Sequence, residues 1–107
     1  MKTLHELTDE IVATYKSYES TGTKPWDYLI ASRDLSYQVG SLTKVIMQLS
    51  KERYTKDAPE ALKAQAADEL ADILAEVLFI ARELNIDMYQ AWNKMIGSDE
   101  AKIEERK

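Results

Sequence analysis

An all-α, four-helix bundle is the architecture expected of this 107-residue chain. Three observations point to it. In four separate stretches, apolar residues recur at spacings of three and four, the period of an amphipathic helix. No stretch alternates apolar and polar residues with period two, so no strands are expected. Short polar turns with helix-start signals separate the four stretches.

The first helix is expected from Leu4 to Tyr18, with Leu4, Leu7, Ile11, Tyr15 and Tyr18 on one face. Thr3 and Glu6 have the spacing of a capping box. His5, the only histidine, lacks a second histidine beside it and reads as a surface residue. The run ESTGTK, residues 19–24, is a turn. Pro25 suits the first turn of a second helix, which runs through Trp26 to about Ser50, with a break near Ser32. Its apolar seam is Tyr28, Leu35, Val39, Leu42, Ile46 and Leu49, and Asp34, Gln38 and Ser41 lie beside it. Gly40, inside this helix, costs about 1 kcal/mol relative to Ala. A tight helix crossing or room for a ligand would explain it.

Residues 51–58, KERYTKDA, form a polar connection. Asp57, Pro59 and Glu60 mark the start of the third helix, which runs to Asn85. Asp87, with Gln90 three residues on, caps a fourth. Met88, Ala91, Trp92, Met95 and Ile96 of this last helix are expected to face inward. Gly97 and Ser98 interrupt it, and residues 99–107 read as a frayed tail. The whole chain, 1–107, reads as one domain.

The third helix has two natures. Leu70, Ile73, Leu74, Val77, Leu78, Ile80, Ala81 and Leu84 cover more than half of its wheel at about 100° per residue. Gln65, Asp68, Glu69, Asp72, Glu76 and Glu83 share the remaining sector. An acidic stripe on a helix expected to be mostly buried asks for a partner, since carboxylates are rarely buried unpaired. Glu69 and Asp72 are three apart and can point side by side into a gap between helices, and Glu76 extends the same face. Clustered carboxylate oxygens suit hard cations such as Mg²⁺ or Mn²⁺. Phe79 falls within the acidic sector, and with Trp26 and Trp92 offers an aromatic surface for a base.

The formal net charge is -5, and the basic residues are scattered. DNA, RNA and anionic membranes are therefore poor partners. With no cysteine there is no disulfide framework and no thiolate metal site. The first residues lack a secretion-signal core, and no apolar run approaches membrane-spanning length. The expected location is cytoplasmic.

The run DELADIL at residues 68–74 and the run LNIDMYQAW at residues 84–92 resemble the second half of MazG-type nucleotide pyrophosphohydrolases, the all-α NTP pyrophosphatase superfamily related to the dimeric dUTPases. QVGSLTK at residues 38–44 is similar to the surroundings of that family's first motif. The resemblance spans roughly Trp26 to Trp92. It implies a four-helix fold assembled as dimers or tetramers, and Mg²⁺-dependent hydrolysis of a nucleoside triphosphate to monophosphate and pyrophosphate. It implies a metal held by an ExxE on one helix and an ExxD on the next. The ExxD falls on Glu69 and Asp72. The ExxE falls on Gln38 and Ser41, which carry no charge. An Asn or Asp with basic neighbours beyond the ExxD helix would correspond to Asp99 with Lys94 or Lys102.

Losing two carboxylates weakens a cation site by several kcal/mol per charge at an effective dielectric of about 20. Asp34, one turn before Gln38, and Glu76 stand where they can compensate. The candidate site is therefore Glu69 and Asp72 as catalytic metal ligands, with Asp34 and Glu76 assisting. Gln38, Ser41, Lys44 and Phe79 are placed against substrate. The competing reading is a non-catalytic bundle that binds a nucleotide or a partner protein, with Gln38 and Ser41 only satisfying a polar layer between helices.

Overall fold

The computed structural model describes residues 1–107. It contains four helices and no strands: α1 (Leu4–Ser20), α2 (Tyr28–Leu49), α3 (Pro59–Glu83) and α4 (Met88–Glu105). No helix is long and apolar enough to cross a membrane.

The starts of the helices follow local chemistry. At α1 the Thr3 hydroxyl accepts from the Glu6 N–H at 3.1 Å, and the Thr3 N–H donates to Glu6 Oε1 at 3.0 Å, which closes the capping box. Helix α2 begins later than Pro25 suggests. Asp27 is its cap, accepting from the Ile30 N–H at 2.9 Å, and residues 23–27 are irregular. An Asp side chain satisfies an otherwise orphaned N–H, which proline at the first position cannot do. No break occurs near Ser32. Helix α3 starts at Pro59, but Ala58 caps it without a side-chain bond. Asp57 is instead occupied by Gln65, whose Nε2 donates to Asp57 Oδ2 at 3.1 Å. Asp87 caps α4 as expected, accepting from the Gln90 N–H at 3.2 Å.

Helix ends also differ from expectation. Helix α3 stops at Glu83, and Asn85 takes a left-handed turn at φ 56°. Asn tolerates that region better than most residues. Helix α4 runs unbroken through Gly97 and Ser98 to Glu105, so the expected frayed tail is helical. An isolated Gly lowers helix stability without ending the helix.

Helix α3 is the hub. It packs along α2 and against α1, while α4 touches α1 only lightly. Tyr15 of α1 anchors one junction, its ring centroid 4.7 Å from that of Phe79 and 5.6 Å from that of Trp26. Arg82 Nη2 reaches Asp9 Oδ1 at 2.6 Å, and His5 Nε2 lies 3.3 Å from Asp87 Oδ1. The Gln90 N–H is the main reason the Asp87 carboxyl sits below its usual range, and His5 adds to it.

The core is thin. Only eight residues are buried, among them Ala31, Val45, Leu62, Leu78, Phe79 and Ala81. Two expectations about apolar faces are corrected here. The buried line of α2 runs through Ala31 and Val45, not along the apolar seam, of which Tyr28, Val39 and Ile46 are exposed. On α4, Trp92 (55 % exposed), Met95 and Ile96 face solvent, because no helix of the chain covers them. Leu70, Leu74 and Leu84 of α3 are exposed as well. Nor does any helix cross closely at Gly40, where an added Cβ would meet open space.

Candidate functional site

Because α2 turns its Ala31–Val45 line toward α3, residues between these two points come with it. Asp34, Gln38 and Ser41 are each half-buried. They form the polar part of the helix pair, where half-buried Glu69 and buried Glu76 of α3 meet them, whereas Asp72, expected to face inward beside Glu69, is exposed.

Two adjoining cavities mark this layer. The first, about 380 Å³, lies where α1, the irregular segment before α2, α2 and α3 converge. Tyr15, Trp26 and Lys24 form part of its wall, and Asp34, Gln38, Asp72 and Glu76 bring its polar groups. The second, about 280 Å³, lies further along α2 and α3, between Ser41, Lys44 and Gln48 on one side and Gln65 and Glu69 on the other. The chain thus places Asp72 with Gln38 and Glu69 with Ser41, in neighbouring cavities.

Glu76 is the least expected member. It is only 2 % exposed, and its Oε2 is buried with no hydrogen-bond partner. Burial first, then a contact with the Asp34 carboxyl and the charges of Asp34 and Asp72, push its pKa up to about 8. The same acids add to burial in raising the Tyr15 hydroxyl to about 12. Glu69 is half-buried, and its Oε2 is also closed off without a partner. Gln38 does not reach across to α3. Its Nε2 donates to Asp34 Oδ2 at 3.3 Å, one turn back on its own helix.

Two carboxyl oxygens hidden from water and left without donors are costly, each by about 1–3 kcal/mol, and at Glu76 retention of the proton to about pH 8 removes the charge. A cation or a donor-bearing ligand removes that cost. No three His, Asp or Glu side chains stand close enough together to hold a metal ion by themselves. Mg²⁺ does not require this: it is commonly held by one or two carboxylates, with substrate phosphates and water completing its shell. Glu69 and Asp72 line different cavities, so each offers a single carboxyl group of hard oxygen donors to such an ion.

The other expected site residues divide. Ser41 and Lys44 border the Glu69 cavity. Phe79 is buried at 6 % exposure and packs on Tyr15, so it belongs to the core and not to a ligand wall. Trp92 is exposed on α4 and lines neither cavity. Tyr15, Tyr18, Thr23 and Lys24 were not expected at the site. They reach the first cavity because α1 crosses α3 next to the segment before α2. Sequence spacing reports which face of one helix is apolar, and carries no signal for which helices meet.

Comparison of the chain with protein-family models, with curated proteins and with solved structures finds no match.

Proposed function

We propose that this chain is a MazG-like nucleoside triphosphate pyrophosphohydrolase, working as a homodimer. The observation that carries the reading is the polar layer between α2 and α3. There Glu69 and Glu76 each hold a buried carboxyl oxygen without a hydrogen-bond partner, next to cavities that open to solvent.

In this reading Glu69 and Asp72 hold Mg²⁺ or Mn²⁺, and Lys44 at the rim meets the triphosphate as a point charge. The bound ion supplies Lewis-acid polarisation of a phosphoryl oxygen and lowers the pKa of a water. Ser41 faces Glu69 across its cavity and offers a hydroxyl to phosphate or water. Tyr15 and Trp26 supply flat apolar surface in the larger cavity, where a base is taken up. That cavity falls within the usual size range of small-molecule pockets, roughly 300–1,000 Å³. The resemblance of DELADIL to the family's second motif, and of QVGSLTK to the surroundings of its first, supports the same assignment.

Purified protein with Mg²⁺ or Mn²⁺ and a panel of nucleoside triphosphates tests it. Pyrophosphate release is expected, and Glu69→Gln should lower it by at least about a hundredfold, in line with the loss of a metal ligand. No release from any triphosphate, with the variant indistinguishable from the parent, contradicts it.

A second reading has a specific observation behind it. Gln38 and Ser41 bring no charge to the layer, and Gln38 is already engaged with Asp34. A bundle of that kind binds a nucleotide without cleaving it. Calorimetric nucleotide binding that persists in EDTA, with no pyrophosphate formed, selects this reading.

A further inference from the structure

Where α2 ends and α3 begins lies a third cavity, of about 520 Å³. Lys51, Arg53 and Tyr54 of the connection form one part of its wall, and Pro59 and Leu62 of α3 another. Gln48 and Asp57 border both this cavity and the one that holds Ser41, Lys44 and Glu69. The two cavities therefore adjoin.

The charge on the third wall is unbalanced. The chain's salt bridges involve neither Lys51 nor Arg53. The acid on the same wall, Asp57, has its Oδ2 taken by Gln65 Nε2 at 3.1 Å. The first turn of α3 adds to the positive potential, because Ala58 caps it without a side-chain bond and its leading N–H groups are left over.

The turn that presents the two cations is fixed. The Met47 carbonyl accepts from the Glu52 N–H at 2.8 Å and from the Arg53 N–H at 3.2 Å, and the Gln48 carbonyl accepts from the Lys51 N–H at 3.2 Å. Lys51 follows the cap of α2 at φ 66°. Glycine is the usual residue at such a place, because a Cβ is strained there. Lysine keeps the strain and brings a charge.

A phosphate chain has the matching chemistry: several negative charges carried on acceptor oxygens, which Lys meets as a point charge and Arg with a fork of N–H groups. Ser41 and Gln48 are two turns apart on α2, roughly 10 Å. A triphosphate and the long Lys and Arg side chains cover that span between them.

Resting on the nucleotide reading above, we propose that Lys51 and Arg53 hold the terminal phosphates of a nucleoside triphosphate whose metal is bound at Glu69. The α2–α3 connection thereby separates triphosphates from monophosphates, which end short of it. The two residues bind and position the phosphate tail and take no part in holding the metal.

ATP, AMP and inorganic pyrophosphate are the probes, each titrated into the isotope-labelled full chain in EDTA. Amide signals of residues 48–55 should shift with ATP and with pyrophosphate and stay in place with AMP. The double variant Lys51→Gln, Arg53→Gln should weaken both ligands at least about tenfold, in line with the loss of two charge-assisted contacts. Lys16→Gln, exposed on α1 away from the cavity, should change neither affinity by more than about twofold. Lys51→Gly should raise the melting temperature by relaxing the left-handed residue and still weaken binding, an opposition that a purely structural lysine does not give. Residues 48–55 unmoved by ATP, AMP shifting them as strongly, or affinities unchanged in the double variant overturns the proposal. Pyrophosphate bound there while ATP binding ignores the double variant overturns it too, and leaves a site for free pyrophosphate only. The hydrolase reading fails separately. These shifts without pyrophosphate release keep the phosphate site and remove the hydrolase. Release whose rate and KM ignore the double variant keeps the hydrolase and removes the phosphate site.

Discussion

Glu76 is the residue on which burial and charge collide most sharply. It sits in the middle of α3, almost fully enclosed, facing Asp34 from α2, Asp72 one turn earlier on its own helix, and the Tyr15 ring from α1. Its carboxyl has an ordinary value of 4.5, raised to about 8 in the fold. The unfolded chain therefore sheds this proton near pH 4.5 while the folded chain keeps it to about pH 8. Stability from this group is fully present below the lower value and is lost as pH rises through the window. The slope is at most about 1.4 kcal/mol per pH unit. Glu76→Gln removes the titration. In thermal melts between pH 5 and pH 8, the parent should lose stability relative to the variant, steadily with pH. Parallel profiles would show that Glu76 is not held in this way. The acidic stripe was legible in the sequence, and so was Glu76 within it. Its rank as the most enclosed acid was not, because that depends on the angle at which α1 crosses α3. The same crossing buries Phe79, which the wheel of α3 alone assigns to the polar sector.

Among elements, the helices themselves and the caps Thr3 and Asp87 were readable, since a cap is a local bond between neighbours. The start of α2 falls after Asp27 and not at Pro25, because Asp27 completes a capping hydrogen bond that a proline cannot make. The faces were harder. The apolar seam of α2 is not its buried line, and Trp92, Met95 and Ile96 on α4 find nothing to pack on. These exposures share one physical cause. Leu70 (55 % exposed) and Leu74 (46 % exposed) on α3, Val39 and Ile46 on α2, and the α4 residues make more apolar surface than a single chain covers. Exposed apolar patches of this kind mark association surfaces. A homodimer predicts a sedimentation mass about twice the 12.2 kDa of one chain. A mass of one chain at micromolar concentration would contradict it.

The shape of the chain as a whole agrees with an unfinished assembly. Its radius of gyration is 17.2 Å, against about 13 Å for a compact domain of this length. The pair α2–α3 is the only extensive helix contact, α1 braces it through Tyr15, and α4 stands off. That arrangement leaves the polar layer of α2–α3 as the place where buried Glu76, half-buried Glu69 and Asp34, and the two cavities come together. Nothing in apolar spacing announces such a layer, because a polar seam inside a helix pair looks like a solvated face until the partner helix is known.

The proposed divalent-ion site in this layer is tested directly by titrating Mn²⁺ with a nucleoside triphosphate into isotope-labelled protein and following paramagnetic loss of amide signals. Signals of Gln38, Ser41, Glu69 and Asp72 should vanish first, and Glu69→Gln should abolish the effect. Loss centred instead on the acids at the end of α4, Glu100, Glu104 and Glu105, with residues 38, 41, 69 and 72 untouched, would contradict the site.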